Sequence, residues 1–438
     1  MKCDLLIVNA TLLPEPGRGE LQDNGYLAIT GSKISDLGPM AKLAGNVSGR
    51  QIIDVQGNLV MPGLVNTHAH GAMTLFRGLA DDLELMSWLN EHIFPAEAAF
   101  VEPEMVYWCS KLAAAEMILA GITTVADGYF HEDAAARAFA EAGIRAVAAQ
   151  GVIDFPAPGV PDPVENIKAA AEFIEKWQGA NPLITPGVFC HSPYTCGPQT
   201  LARAKELCRA KGAPFFIHVA ETGQEVAQLE KEHGLTPIAF LHDLGLLDRD
   251  TVCVHGVWLT DADLALLEKS GAGVASCPES NMKLAAGLAP IGRMRAANIP
   301  VGLGTDGCAS NNDLDLLQEM GMCAKLHKMA AGDATVLPGR VMLAMATAGG
   351  ARVLGMGEKV GALRPGMDAD CIVVDLARPN LTPFYNQETL VYAGRGSDVV
   401  TSIINGKVVM AKRELLTFDL GETMTQVRRI SRRVKAAV

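Results

Sequence analysis

Between about residue 60 and residue 365, short apolar runs alternate with segments of helical periodicity. The runs are LVMPGLVNTHAH, ITTVADGYF, IRAVAAQGVID, LITPGVFCHS, PFFIHVAE, TVCVHG, GAGVASCPES and VGLGTDG. Each is rich in apolar residues and most close on glycine or a polar side chain, the pattern of a strand buried on both faces. Between them lie amphipathic stretches such as PEMVYWCSKLAAAEMILAG, EDAAARAFAEAG, VENIKAAAEFIEKWQG, QTLARAKELCRAKG and TDADLALLEKSG. A strand followed by a helix followed by a strand makes a parallel pair with its crossover packed on the sheet. Eight such strands over roughly 300 residues predict an α/β fold, a (β/α)8 barrel. A doubly wound open sheet is the rival, weakened because no GxGxxG follows the first strand.

The flanks have a different texture. CDLLIVNATLL, GYLAITGSKISDLG and RQIIDVQGNLVMPG at the N-terminus are β-branched runs broken by Gly, Asn and Pro, and DADCIVVDL and DVVTSIINGKVVM repeat this near the C-terminus, with an Asn405-Gly406 turn. Neither flank is long enough to be stable alone, so residues 1–58 and 369–438 are expected to combine into one small β-sandwich against a barrel of residues 59–368. The last stretch, ETMTQVRRISRRVKAAV, reads as a basic amphipathic helix capping the chain, and FPAPGVPDP (155–163) as the loop after the third strand.

Net charge of −12 disfavours phosphate backbones and anionic membranes, so nucleic acid and membrane partners are not expected. No apolar run reaches the ~18 residues of a membrane span. The first apolar stretch is interrupted by Asp4 and Asn9 and does not read as a signal peptide. Ten cysteines without a CxxC pair fit reduced, buried thiols and a cytoplasmic location.

In a barrel the chemistry sits at the C-terminal ends of the strands. His68 and His70 close the first run, His191 the fourth, and His218 lies on the fifth with Glu221 three residues on. His255 closes the sixth and Asp306 the eighth, so five of the ten histidines fall on one rim. His68 and His70, two apart on a strand, share a face. Alone the pair reads more often as hydrogen-bonded core histidines. With a third imidazole and a carboxylate on later strands it suits a metal, Zn²⁺ or Fe²⁺, with an open position for water.

PGLVNTHAHGAMTLFRGLADDL, HVAET, HGVWL and GLGTDGCASNN resemble the amidohydrolase superfamily, and more closely its 5′-methylthioadenosine/S-adenosylhomocysteine deaminases, which border on the triazine hydrolases. Glu97, the HSPY at 191–194 and the SNMKL at 280–284 carry the closer likeness, and Ser276-Cys277 departs from it where relatives often have a histidine. Two-metal members carry a bridging carboxylated lysine on the fourth strand. LITPGVFCHS has none, which implies one divalent metal held by His68, His70, His218 and Asp306.

The resemblance further implies roles. Asp306 would also accept the proton of the attacking water, Glu221 would protonate purine N1, and His255 would orient the water and pass protons to leaving ammonia. His191, Glu97 and Ser310 would contact substrate, Glu97 at the ribose hydroxyls. Trp88 and Met73 are wall candidates whose plainer reading is core packing. Members that accept S-adenosylhomocysteine place arginines where Gln150 and Asp162 stand here. The expectation is therefore hydrolytic deamination at a cyclic amidine C–N bond of a small-molecule nucleoside. Methylthioadenosine is preferred, adenosine accepted and S-adenosylhomocysteine poor, in an enzyme of two or four subunits. The alternatives are a triazine-type or other heteroaromatic amino- or chlorohydrolase, a guanine- or 8-oxoguanine-type base deaminase, and a barrel without catalysis.

Overall fold

A computed structural model describes residues 2–43 and 48–437. Its barrel strands are β1 (Leu64–His70), β2 (Ile122–Tyr129), β3 (Arg145–Val152), β4 (Ile184–Cys190), β5 (Phe215–Val219), β6 (Thr251–His255), β7 (Gly273–Ser276) and β8 (Val301–Leu303). All are parallel and pair in chain order. Closure comes from a step in the last strand. Val301–Leu303 pairs with β7, then Asp306–Gly307 crosses to pair with the end of β1, Asp306 beside Ala69. At the step the Gly304 N–H donates to Ser276 O at 2.8 Å and the Thr305 N–H to His68 O at 3.1 Å. Gly304 is required there, because a Cβ would lie 2.9 Å from the His68 backbone nitrogen. Asp306 itself has φ +60°, and His255 at the end of β6 has φ +71°. Non-glycine residues seldom adopt this left-handed conformation outside turns and functional sites, and here it turns both side chains at the barrel mouth.

The helices predicted from periodicity form, including Pro103–Leu119, Glu132–Ala142, Asn166–Trp177, Pro198–Lys211 and Asp261–Ser270. They bury their apolar faces on the outside of the barrel. Inside, Val65, Val147, Ala149, Phe189, Phe216, Val252, Val254, Ala275 and Cys277 pack on Ala351, Val353, Leu354, Met356 and Val360, which plug the bottom. The departure at Ser276-Cys277 is thus absorbed as interior packing, with both residues buried. The C-terminal helix Leu420–Ala437 does more than end the chain in solvent. It buries Val427, Ile430 and Val434 and pairs Arg429 with Glu104 of Pro103–Leu119 and Arg433 with Glu102, just before that helix.

The termini meet as expected. Among the described residues, nine strands from both flanks form a second sheet, joined where Leu59–Pro62 pairs with Cys371–Val374. Lys2–Leu12 pairs antiparallel with Gln22–Thr30 and, on its other edge, parallel first with Ser48–Asp54 and then with Leu59–Pro62, so the sheet branches there. Leu5, Ile7, Leu27 and Ile29 of one arm share an apolar cluster with Val60, Cys371, Val373 and Ile403 of the other. The run LVMPGLVNTHAH, read from sequence as one strand, is divided at Gly63: Leu59–Pro62 belongs to this sheet and Leu64–His70 to the barrel. A Cβ on Gly63 would lie 2.1 Å from Thr123 Cγ2. Arg145, buried at the start of β3, pairs with Asp370 at 2.8 Å and Asp368 at 3.0 Å and ties the barrel to this sheet.

Candidate active site

Strand ends place the predicted donors together. His68 and His70 come from β1, His218 from β5 and Asp306 from the step after β8, and their nearest ligand atoms all lie within 4.8 Å of one another. His68 Nε2 is 3.3 Å from His218 Nε2 and 3.2 Å from Asp306 Oδ1, and His70 Nε2 is 3.4 Å from the same oxygen. Donors about 2.1 Å from a shared metal and tetrahedrally arranged stand about 3.4 Å apart, so the spacing fits a Zn²⁺-sized ion. The protonation states agree. Burial, then the neighbouring His70, pushes His68 down to about 4, and burial drives His218 well below its ordinary range and lowers His70. These are neutral imidazoles, the form that ligates. His70 Nδ1–H donates to Gly128 O at 2.5 Å, which leaves Nε2 to face the cluster.

Burial works against charge on Asp306, but the hydrogen bond from His68 and the surrounding imidazoles hold it well below the usual carboxylate range. Its Oδ2 accepts from Ser280 Oγ at 2.7 Å and Ser310 Oγ at 2.9 Å. Ser310, expected at the substrate, lines the cavity but its hydroxyl is bound to Asp306. His255 Nδ1–H donates to Asn281 Oδ1 at 3.0 Å and its Nε2 stands 3.7 Å from Glu221 Oε1. Burial raises the Glu221 carboxyl, with His255 opposing. Burial would lower His255, but the carboxylates of Glu221 and Asp306 outweigh it and the net direction is up. Both shifts favour the protonated form of the group concerned. The backbone N–H groups of Ala220 and Glu221 each donate to the Glu225 carboxylate at 2.8 Å, which fixes the loop.

His70, His218, Glu221, His255 and Asp306 line one cavity. His191 lines it and is held by Thr195 Oγ1 at 2.9 Å from Nδ1, and burial, then His70 and His255, takes it down to about 3. One wall is apolar. Leu85, Trp88, Leu89, Ile93 and Phe94 come from a short segment containing a turn of π-helix, Trp88–Ile93, with Met73, Phe130 and Leu284 adding to it. Trp88 and Met73 thus face the cavity as well as packing. Glu97, 4% exposed, stands at the end of this wall on Phe94–Phe100 and accepts from the Tyr129 hydroxyl at 2.6 Å. Burial pushes its carboxyl up to about 7.

Gln150 is a correction. It does not line the cavity, and its amide donates to Gly151 O at 3.2 Å. Side chains alternate along β3, and Val147, Ala149 and Gly151 take the inner face, so Gln150 points out. Asp162 is exposed on the surface, accepting from Val164 N at 3.1 Å. Among the described residues no lysine or arginine lines the cavity. Sequence reasoning passed over Tyr129, Ser280 and Asn281 as individual site residues. The signal for Tyr129 was its place closing the second strand.

Residues 59–409 match the amidohydrolase family. A 5-methylthioadenosine/S-adenosylhomocysteine deaminase of Syntrophobacter fumaroxidans is 47% identical over 436 residues, 99% of each chain. A 5′-deoxyadenosine deaminase of Methanosarcina mazei is 41% identical over 439 residues, again 99% of each. The crystal structure of an adenosine deaminase from Xanthomonas campestris with bound zinc superposes with a TM-score of 0.96 at 36% identity, covering 99% of each chain.

Proposed function

The chain belongs to the amidohydrolase family, among the 5′-methylthioadenosine/S-adenosylhomocysteine deaminases, and from that premise we propose that it hydrolyses the C6–amine bond of an adenosine-type nucleoside. Water enters, ammonia leaves, and the adenine becomes a hypoxanthine. The observation that carries this is one cavity holding a four-donor cluster, a Glu–His proton pair and, at the far end of an apolar wall, a lone buried carboxylate suited to a sugar.

His68, His70, His218 and Asp306 would hold one divalent ion, proposed as Zn²⁺ with Fe²⁺ as the alternative. When bound, the metal supplies a Lewis acid that lowers the pKa of a water toward about 7. The Asp306 carboxylate, whose Oδ1 faces the cluster and accepts from the Gly307 N–H at 2.8 Å while Oδ2 accepts from two hydroxyls, would take up a proton from the attacking water. Glu221, raised by burial, holds the proton that N1 takes as charge builds on the ring. His255, 3.7 Å away and fixed by Asn281, relays the proton needed by departing ammonia. His191 presents Nε2 to the purine or ribose, and the carboxylate of Glu97 accepts from the ribose hydroxyls.

The preference for methylthioadenosine stands on the cavity and no longer on Gln150 and Asp162. An amino-acid tail ends in a carboxylate that wants a bidentate arginine, and among the described residues none lines the cavity. The wall of Leu85, Trp88, Leu89, Ile93 and Phe94 suits a methylthio group instead. Adenosine would be accepted and S-adenosylhomocysteine poor. A subunit count of two or four and a cytoplasmic location complete the proposal. The described cysteines are buried free thiols, as a reducing compartment allows, and among the described residues no helix is long and apolar enough to cross a membrane.

The test follows the ultraviolet change of adenine to hypoxanthine with methylthioadenosine, adenosine, S-adenosylhomocysteine and guanine, alongside metal analysis. Turnover of the first two by a protein holding one metal is the expected result. Turnover of guanine alone, or full activity without metal, would overturn the reading.

A further inference from the structure

Tyr129 closes β2 and takes no part in the chemistry above. It is 5% exposed, lines the cavity, and donates its hydroxyl to Glu97 Oε1 at 2.6 Å. The residue before it, Gly128, accepts through its carbonyl from His70 Nδ1 at 2.5 Å. One dipeptide at the end of one strand is thus bonded both to the donor cluster that would address the purine and to the carboxylate that would address the sugar. The Tyr129 ring is held in turn, 6.0 Å from His70 and 5.4 Å from Phe130 between centroids.

Glu97 has little else to fix it. Its side chain leaves the helix Phe94–Phe100 at the end of an apolar wall, and among the described residues the Tyr129 hydroxyl is its hydrogen-bond donor. A carboxylate rotates about its last torsion in a broad, two-fold well, so a single rigid donor decides which way its oxygens face. With Oε1 held, Oε2 and the second lone pair of Oε1 remain as a fixed pair of acceptor sites. Two hydroxyls on adjacent carbons present donors at that kind of spacing, and one hydroxyl uses only half of it.

Resting on the reading of Glu97 as the sugar contact, we infer that Tyr129 is a positioning residue that orients the Glu97 carboxylate and so makes the site select nucleosides with an intact 2′,3′-diol over deoxyribose ones. The phenol acts before substrate arrives. It removes the ordering cost of Glu97 from the binding step, and its loss should weaken binding of the diol while leaving the metal-side chemistry alone.

The experiment is steady-state kinetics of the full-length, metal-loaded enzyme with adenosine, 2′-deoxyadenosine and 3′-deoxyadenosine, for wild type, Tyr129→Phe and Glu97→Gln. Phenylalanine keeps the ring and removes the donor. A hydrogen bond to a charged group implies that wild type prefers adenosine by roughly 10- to 100-fold in kcat/KM. In Tyr129→Phe that ratio is expected to fall close to one, because KM for adenosine rises while kcat and both deoxy substrates stay near their wild-type values. Equal losses for all three substrates would mark a merely structural role and overturn the inference, as would an unchanged ratio. A Glu97→Gln enzyme that keeps the wild-type ratio overturns the Glu97 reading and this inference with it. A Glu97→Gln enzyme that loses the ratio while Tyr129→Phe keeps it overturns this inference alone.

Discussion

Glu97→Gln should make the protein more stable at neutral and alkaline pH while it damages activity. Burial pushes the Glu97 carboxyl from an ordinary 4.5 up to about 7, with the Tyr129 hydrogen bond opposing. A group held higher in the folded than in the unfolded state binds more protons when folded between those two values, so stability falls as pH rises from about 4.5 to 7. At about 1.4 kcal/mol per pH unit, the ionised carboxylate costs about 3 kcal/mol at pH 8. Glutamine has the same shape, still accepts from the Tyr129 hydroxyl through its carbonyl oxygen, and does not titrate. The stability difference between Glu97→Gln and wild type should therefore be small near pH 4 and grow to about 3 kcal/mol in favour of the variant at pH 8. For a chain of this length that is about 3 °C in melting temperature. Melting curves of both proteins from pH 4 to 8, at matched metal content and scan rate, read it directly, since every other titrating group is common to the two. A difference that does not change with pH would refute the argument that this carboxyl is raised by burial, and a difference that shrinks with pH would reverse its sign. The same variant should lose affinity for nucleosides, because an amide oxygen that already accepts from Tyr129 has one acceptor site left for two hydroxyls.

His68→Ala and His218→Ala should each lose the metal, nearly all activity and some thermal stability, measured by metal analysis beside turnover. A fully active, metal-free His218→Ala protein would contradict the four-donor site. Glu221→Gln should keep the metal and lose about 10²- to 10⁴-fold in kcat, and near-normal turnover would assign the N1 proton to another group. S-adenosylhomocysteine should show a lower kcat/KM than methylthioadenosine. Gln150→Arg should leave that ratio unchanged, because the side chain leaves β3 on its outer face. A gain in S-adenosylhomocysteine turnover would show that the arginine reaches the cavity after all.

Some of this structure is written in the sequence and some is not, for physical reasons. The barrel is legible because each strand must be apolar on both faces and each crossover must be amphipathic, so the period of hydrophobicity switches at every boundary. The donor cluster is legible because parallel strands deliver their last residues to one rim, whatever helices intervene. β3 shows where this stops. In RAVAAQGV the inward Val147, Ala149 and Gly151 and the outward Ala146, Ala148 and Gln150 are small or apolar on both faces apart from the glutamine itself. No alternation tells which way Gln150 points, and a register taken one residue off moves it from the cavity to the helix layer. The run 59–70 hides its boundary in the same way: it is apolar throughout up to Val65, and Gly63 alone marks where the chain leaves one sheet for the other.

The partners of Asp306 lie beyond any such pattern. Ser280 stands 26 residues from it in sequence, on a helix after a different strand, and Ser310 four residues from it in the loop that follows. Their two hydroxyls saturate Oδ2, so Asp306 turns a single oxygen, Oδ1, toward His68 and His70. A carboxylate restrained in this way can ligate through one atom only. The four candidate donors are then three imidazole nitrogens and one oxygen, and Glu221 and His255 line the cavity beside them. The left-handed φ of Asp306 and of His255 falls at two positions that both line this cavity.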